Sequence, residues 1–141
     1  IIMLPVAECN MSDYLTTLDA MELGTERDEL RRRALQWPGC LIRAFDYLHD
    51  KRTKHRDVKP SNILIKGGTV YLADFGISKM VDGDETTGSY GYVGAHTRNY
   101  SAPEVLEEED ETRRGRSVDI YSLGCIFLEL ATVLIAPPHS R

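Results

Sequence analysis

A polar stretch in the middle of the chain, residues 55–62, carries side chains that could do chemistry. It contains Asp57, Lys59 and Asn62, which supply a carboxylate, a cation and a carboxamide. An apolar run, residues 63–65, follows at once, so the polar stretch is predicted to be a loop that leads into a strand. Taken alone, these residues fit an active-site loop and a solvated turn equally well.

A hairpin predicted after this loop brings a second acid close to it. Residues 63–65 and 69–72 are short β-prone runs, and the glycine pair at 67–68 between them suits a tight turn with positive φ. Asn62 precedes the first strand and Asp74 follows the second, so the hairpin should place them side by side. Oxygen ligands of this kind suit Mg²⁺, with phosphate and water completing the shell. We therefore predict a metal site at these two residues.

Helices must position this loop. Apolar residues at 41, 44, 45 and 48 predict an amphipathic helix that ends near residues 49–50, just before the loop. An earlier helix is expected to be capped by Ser12. The mixed charges of residues 22–33 predict a solvated helix face, and Trp37-Pro38-Gly39 predicts a break in the chain.

The C-terminal quarter predicts one further helix. Ser117 is expected to cap it, and from Val118 onward it is apolar on nearly every side, which is typical of a helix buried all round. Its apolar stretch, residues 123–136, is interrupted by Glu129 and is expected to be too short to span a bilayer. Residues 76–100, rich in Gly, Ser, Thr and Tyr, predict a long loop.

Composition narrows the possible functions. The 141 residues suffice for one domain, and the net charge of −5 argues against nucleic acid as a partner. The three cysteines are scattered, which favours an intracellular protein with reduced thiols. We expect no membrane partner and a cytoplasmic location, with the nucleus as the alternative. Both ends look cut through structure, which predicts a fragment of a larger domain.

Four motifs occur in order along the chain. His-Arg-Asp stands at 55–57, Asp-Phe-Gly at 74–76, Ala-Pro-Glu at 102–104, and Asp-Ile-Tyr-Ser-Leu-Gly at 119–124. Together they resemble the eukaryotic protein kinases of the serine/threonine type, over nearly all 141 residues. The resemblance implies an α+β, protein-kinase-like fold, consisting of a mainly helical C-lobe with a small catalytic β-hairpin.

In domain terms, the resemblance implies that residues 1–141 are a partial kinase domain. Residues 1–10 would be the hinge and residues 11–141 the core of the C-lobe. The N-lobe and the last C-lobe helices would be missing.

The resemblance also implies roles for single residues. Asp57 would accept or orient the proton of a substrate hydroxyl, and Lys59 would neutralise the transferring phosphoryl group. Asn62 and Asp74 would hold two Mg²⁺ ions bridging the phosphates of ATP. Thr97 would pack its hydroxyl toward the aspartate and lysine, which favours serine or threonine substrates. A glycosidase-type pair of Asp57 and Asp74 would leave Lys59 and Asn62 without a role.

The N-terminal residues resemble the side of a kinase that holds the nucleotide base. The Leu4 carbonyl and the Val6 N–H would bond the adenine edge, and Asn10 would reach the ribose. Leu64, in the first hairpin strand, would form the floor under the adenine.

Arg56 resembles the arginine of kinases that are switched by phosphorylation of a loop. Thr86 and Thr87 are the favoured sites, which implies an activating kinase as a partner besides a protein substrate with Ser or Thr. The oligomeric state is left open. We expect little activity from these 141 residues alone. The alternative is a truncated, inactive kinase-like fragment that acts as a binding module or is an incomplete gene product.

Overall fold

Four helices and five short strands make up the part of the chain that the computed structural model describes, namely residues 6–75, 79–80, 98–103, 105 and 116–139. The helices are α1 (Met11–Ala20), α2 (Thr25–Ala34), α3 (Trp37–Asp50) and α4 (Arg116–Ile135). The strands are β1 (Cys9–Asn10), β2 (Thr53–Lys54), β3 (Ile63–Lys66), β4 (Thr69–Leu72) and β5 (Lys79–Met80), and one turn of 3₁₀ helix covers Pro60–Asn62.

The predicted hairpin is confirmed as β3 and β4. They pair antiparallel from Ile63 opposite Leu72 to Lys66 opposite Thr69, and β1 adds to the other edge of β3. The turn is made by the glycine pair at 67–68, with φ of 57° and 78°, values that favour glycine.

A second pairing joins β2 and β5, which the sequence does not predict. Thr53 lies opposite Met80 and Lys54 opposite Lys79. Residues 79–80 fall within the stretch 76–100 that the sequence predicts as a long loop, because a strand of two residues is too short to show an alternating pattern.

The core lies between α1, α3, α4 and the inner face of the hairpin. Its central side chains are Met11, Leu15, Leu18, Trp37, Leu41, Phe45, Ile63, Ile65, Ile126, Leu130 and Val133, all at most 2% exposed. On β3 buried and half-buried residues alternate, as expected for a strand with one face on the core.

Two predicted helix starts were wrong. Asn10, not Ser12, caps α1, because its side-chain oxygen accepts the N–H of Asp13 at 3.0 Å. α3 begins at Trp37, where the sequence predicted a break. Pro38 is tolerated there because the first turn of a helix does not use the N–H that proline lacks.

The environment of α4 also differs from the prediction. The helix starts at Arg116, so Ser117 lies within it rather than capping it. It is not buried all round, since Ile120, Leu128 and Ile135 are 52%, 72% and 81% exposed.

By length and composition alone, α4 could cross a membrane, so the expectation that the stretch is too short was not justified. Its other face packs in the core, and its buried Asp119 is hydrogen-bonded to α3 and to the polar loop. We therefore describe α4 as a core helix.

The charged helix α2 is mostly solvated, as predicted for residues 22–33, but Arg27 is an exception. It is 1% exposed, and its guanidinium donates to the carbonyls of Leu18, Val133 and Ala136 at 3.1, 3.4 and 3.5 Å. Two of these carbonyls lie at the C-terminal end of α4, where a cation is favoured by the helix dipole. The charge pattern of α2 did not reveal this contact, because the partners lie on distant elements.

Candidate active site

Three of the predicted residues meet around one carboxylate oxygen. Lys59 Nζ lies 2.6 Å from Asp57 Oδ2, and Asn62 Nδ2 donates to the same oxygen at 2.9 Å and to the Asp57 carbonyl at 2.8 Å. The Asp57 and Lys59 side chains are 16% and 24% exposed. Among the described residues, both of these side-chain contacts fall on Oδ2 and not on Oδ1.

The local sequence explains why these residues meet. Lys59 precedes Pro60, which disfavours helical backbone for Lys59, and its φ of −156° and ψ of 159° are extended. Pro60 then starts a 3₁₀ turn, and the Asn62 N–H closes it by donating to the Lys59 carbonyl at 3.0 Å. The turn folds the Asn62 side chain back onto Asp57.

Asp74 lies at the same end of the hairpin as Asn62. The Ala73 N–H donates to the Asn62 carbonyl at 2.9 Å, and Asp74 follows with φ of 61°. Such a backbone is uncommon outside glycine and clusters at functional sites. The hairpin therefore brings the predicted metal pair to one end, as expected.

The donor set at this end suits a hard divalent cation. The side-chain nitrogen of Asn62 donates to Asp57, so its side-chain oxygen Oδ1 is the Asn62 atom suited to a metal, and Asp74 adds a carboxylate. Within the described ranges no group of three or more His, Cys, Asp or Glu could hold a metal ion. A cation here would take few protein ligands, as Mg²⁺ does when phosphate and water supply the rest.

His55 connects the polar loop to the segment that carries Asp74. It is fully buried, its Nε2 lies 3.0 Å from the Ala73 carbonyl, and its ring lies 4.9 Å from that of Phe75. A carbonyl can only accept, so Nε2 carries the proton and Nδ1 is the acceptor that faces the Asp57 N–H at 3.4 Å.

Asp119, on α4, anchors the backbone of the polar loop at residues 55–56. It was not predicted as a site residue. Its Oδ1 accepts the Arg56 N–H at 2.9 Å, and its Oδ2 accepts the His55 N–H at 3.0 Å and contacts His49 Nε2 at 3.0 Å. Arg56 has φ of 69°, so the anchor holds a strained residue. The available signals were its place at the start of the motif at 119–124 and its position in the first turn of a mostly apolar helix.

The protein kinase domain family matches residues 3–139. The chain belongs to this family. The match confirms the predicted family and the α+β, kinase-like fold.

Named relatives agree with this assignment. "Cyclin-dependent kinase-like 4" of Mus musculus is 43% identical over 93 residues, 64% of this chain and 25% of that protein. "Serine/threonine-protein kinase Nek6" of Oryza sativa subsp. japonica is 40% identical over 99 residues, 70% of this chain and 17% of that protein. "Probable serine/threonine-protein kinase mps1" of Dictyostelium discoideum is 31% identical over 137 residues, 93% of this chain and 13% of that protein. The chain thus spans a quarter or less of the length of these relatives.

Of the residues predicted to border the adenine, two are neighbours in the structure. Asn10 and Leu64 are partners across β1 and β3, and Val6 is 63% exposed. The Asn10 side chain is engaged in the helix cap and also donates to the Asp13 carboxylate at 2.7 Å. Leu4 lies outside the described residues.

The thiol of Cys9, in β1, and the phenol of Tyr14, in α1, have raised pKa values. Burial, then the charges of Asp13 and Glu8, raise the pKa of the Cys9 thiol. Burial also raises the pKa of Tyr14 to about 12. Both groups therefore stay protonated at neutral pH.

Of the residues predicted to regulate the kinase domain, the structure describes only Arg56. Its Nε is buried and has no hydrogen-bond partner in the described part of the chain. Thr86 and Thr87 lie outside the described residues, and so does Thr97, which the resemblance places with the catalytic residues.

Proposed function

We propose that this kinase domain transfers the terminal phosphoryl group of Mg·ATP to serine or threonine hydroxyls of protein substrates. The observation that carries the proposal is the Asp57 carboxylate, bonded on one oxygen by Lys59 and Asn62, at the hairpin end that also bears Asp74. The proposal concerns the natural polypeptide that contains this chain.

The residues of the chain would act in one displacement. Asp57 accepts the proton of the substrate hydroxyl, whose oxygen forms a bond to the terminal phosphorus. The bond from that phosphorus to the bridging oxygen breaks, and ADP leaves with the electron pair. Lys59 stabilises the negative charge on the phosphoryl oxygens, and its contact with Asp57 keeps the two groups aligned.

Asn62 and Asp74 would hold Mg²⁺ through a carbonyl and a carboxylate oxygen. When bound, the ion neutralises charge on the phosphates. The 3₁₀ turn and the bond from the Ala73 N–H to the Asn62 carbonyl bring the two residues to the same end of the hairpin, which supports this assignment.

The preference for serine or threonine rests on residue types and relatives. Lys59 stands two positions after Asp57, and Thr97 matches the threonine of that class of kinases. Two of the relatives above are named serine/threonine kinases.

The nucleotide and the switch complete the proposal. Leu4, Val6, Asn10 and Leu64 would border the adenosine. A phosphate on Thr86 or Thr87, added by an activating kinase, would supply an acceptor for the guanidinium of Arg56, whose Nε is buried.

The test is transfer of labelled phosphate from ATP to a Ser/Thr-containing protein by the natural polypeptide. Asp57→Asn should lower kcat by about 100-fold or more and leave the ATP KM nearly unchanged, because the change removes the proton acceptor and keeps the shape. Asp28→Asn, the same change on the exposed face of α2, should leave both constants unaltered.

Two results would contradict the proposal. One is Mg·ATP-dependent transfer that survives in Asp57→Asn. The other is ATP binding without any transfer by the wild-type polypeptide, which would favour the inactive binding module.

A further inference from the structure

The tip of the β3–β4 hairpin is held by side chains from two other elements. The Gly68 carbonyl accepts the indole N–H of Trp37 at 2.8 Å. The Gly67 N–H donates to Glu8 Oε1 at 3.0 Å. These bonds use backbone groups of the turn, so the tip is attached both to α3 and to the segment before β1.

We propose that Trp37 is a positioning residue for the metal-holding pair Asn62 and Asp74, which it controls through the tilt of the hairpin. The proposal rests on the proposed function, since it assumes that this pair binds a divalent cation with ATP. Trp37 lies at the tip and the pair lies at the base, so it acts without touching the ligand.

Trp37 is rigid enough for this role. It is 1% exposed, and its ring lies 4.7 Å from that of Tyr14 at an interplanar angle of 65°. Tyr14 is itself fixed, because its hydroxyl donates to the Leu30 carbonyl at 3.0 Å. The indole therefore offers its N–H to Gly68 from a position that three helices define.

Glu8 contributes less than Trp37. Its bond to Gly67 is exposed, so water competes for both partners. The indole bond is partly buried, and its loss would leave the Gly68 carbonyl poorly satisfied. Between the two contacts, the tryptophan is the one whose removal should move the tip.

The hairpin is short and stiff enough to transmit a tilt. Its base pair is Ile63 with Leu72 and its tip pair is Lys66 with Thr69. A rise of about 3.3 Å per residue puts these pairs about 10 Å apart, so a tilt of about 5° moves one end by about 1 Å relative to the other. Displacements of that size are enough to weaken a site that depends on exact placement.

The test compares Trp37→Phe with Ile126→Val in the natural polypeptide. Trp37→Phe keeps an aromatic ring but removes the N–H and part of the buried ring volume, whereas Ile126→Val removes buried volume from the core on α4 and no hydrogen bond. The probe is Mn²⁺ titrated in the presence of ATP, together with the amide chemical shifts of Asn62 and Asp74. The melting temperatures of both variants are recorded.

Trp37→Phe should weaken Mn²⁺ binding by about three- to tenfold, because the tilt displaces Asn62 and Asp74 by a fraction of an ångström to about 1 Å, and should shift both amides. Ile126→Val should lower the melting temperature without either effect, because a purely structural loss does not tilt the hairpin. Glu8→Gln should weaken binding less than twofold.

The Asp74→Asn and Trp37→Phe variants together distinguish a wrong positioning role from a wrong proposed function. If wild type binds Mn²⁺ with ATP and Asp74→Asn does not, but Trp37→Phe binds like wild type, the positioning role is wrong and the proposed function stands. If wild type binds no Mn²⁺ with ATP, both are wrong. Equal losses of affinity in Trp37→Phe and Ile126→Val would also overturn the positioning role.

Discussion

Replacement of Asp119 by asparagine should loosen the loop that carries Asp57. The carboxylate is 1% exposed and faces three donors, namely the backbone N–H groups of His55 and Arg56 and the ring of His49. Asparagine has the same shape but only one acceptor oxygen. Whichever way its amide turns, an NH₂ group faces a backbone N–H.

The expected cost follows from these contacts. One charge-assisted hydrogen bond is lost, about 1.5–3 kcal/mol, and the remaining ones weaken because the acceptor is no longer charged. We expect a loss of about 3 kcal/mol in the free energy of unfolding, which is a large share of the roughly 5–15 kcal/mol typical of a domain. Arg56 would also be released from its left-handed backbone, φ of 69°.

Urea unfolding gives the stability, and amide hydrogen exchange at His55 and Arg56 gives the local effect. Asp28→Asn is the matched control, because Asp28 is 61% exposed, its ion pair with Arg31 spans 3.5 Å, and such pairs contribute at most about 1 kcal/mol. An Asp119→Asn chain that loses less than about 1 kcal/mol and keeps its protected amides would refute the assigned anchoring role.

Two further predictions concern other buried groups. Arg27→Ala should lower the free energy of unfolding in urea by about 2–4 kcal/mol, because three carbonyls lose their donor and a buried side chain is removed. The control Arg32→Ala, on the exposed face of α2, should lower it by under about 0.5 kcal/mol. Equal losses in the two variants would contradict the prediction. Burial raises the Tyr14 pKa from its usual value of 10.0 to about 12, so its contribution to stability is complete below pH 10 and is lost as the pH rises toward 12. Wild type should therefore lose stability faster than Tyr14→Phe in that window, and parallel curves would show that the phenol is not buried.

The hairpin and the main helix before the loop could be predicted because their signals are local. The glycine pair at 67–68 stands between two apolar runs, and the apolar residues of α3 recur at helical spacing. Asp57, Lys59 and Asn62 meet within one short turn, so their proximity follows from neighbouring residues alone. The position of Asp74 followed from the hairpin that joins it to Asn62.

Contacts between distant segments were not predictable in this way. Asp119 is more than sixty positions from the loop that it anchors, and Arg27 binds carbonyls on α4 more than a hundred positions away. An apolar pattern around α4 indicated burial on all sides, yet the exposure of Leu128 shows that apolar composition does not specify how many neighbours a helix has.

Two strained residues show how far the site depends on these distant contacts. Arg56 and Asp74 both have left-handed backbones, which cost about 1–2 kcal/mol for a residue such as arginine and less for aspartate. Local sequence does not favour that conformation at Arg56, so it must be held there by tertiary bonds. Asp119 supplies them to Arg56, whereas the bond from Ala73 to Asn62 fixes the residue that precedes Asp74. The geometry around Asp57 is thus a property of α4 and the hairpin together, and a peptide containing only the motifs of residues 55–75 would not adopt it.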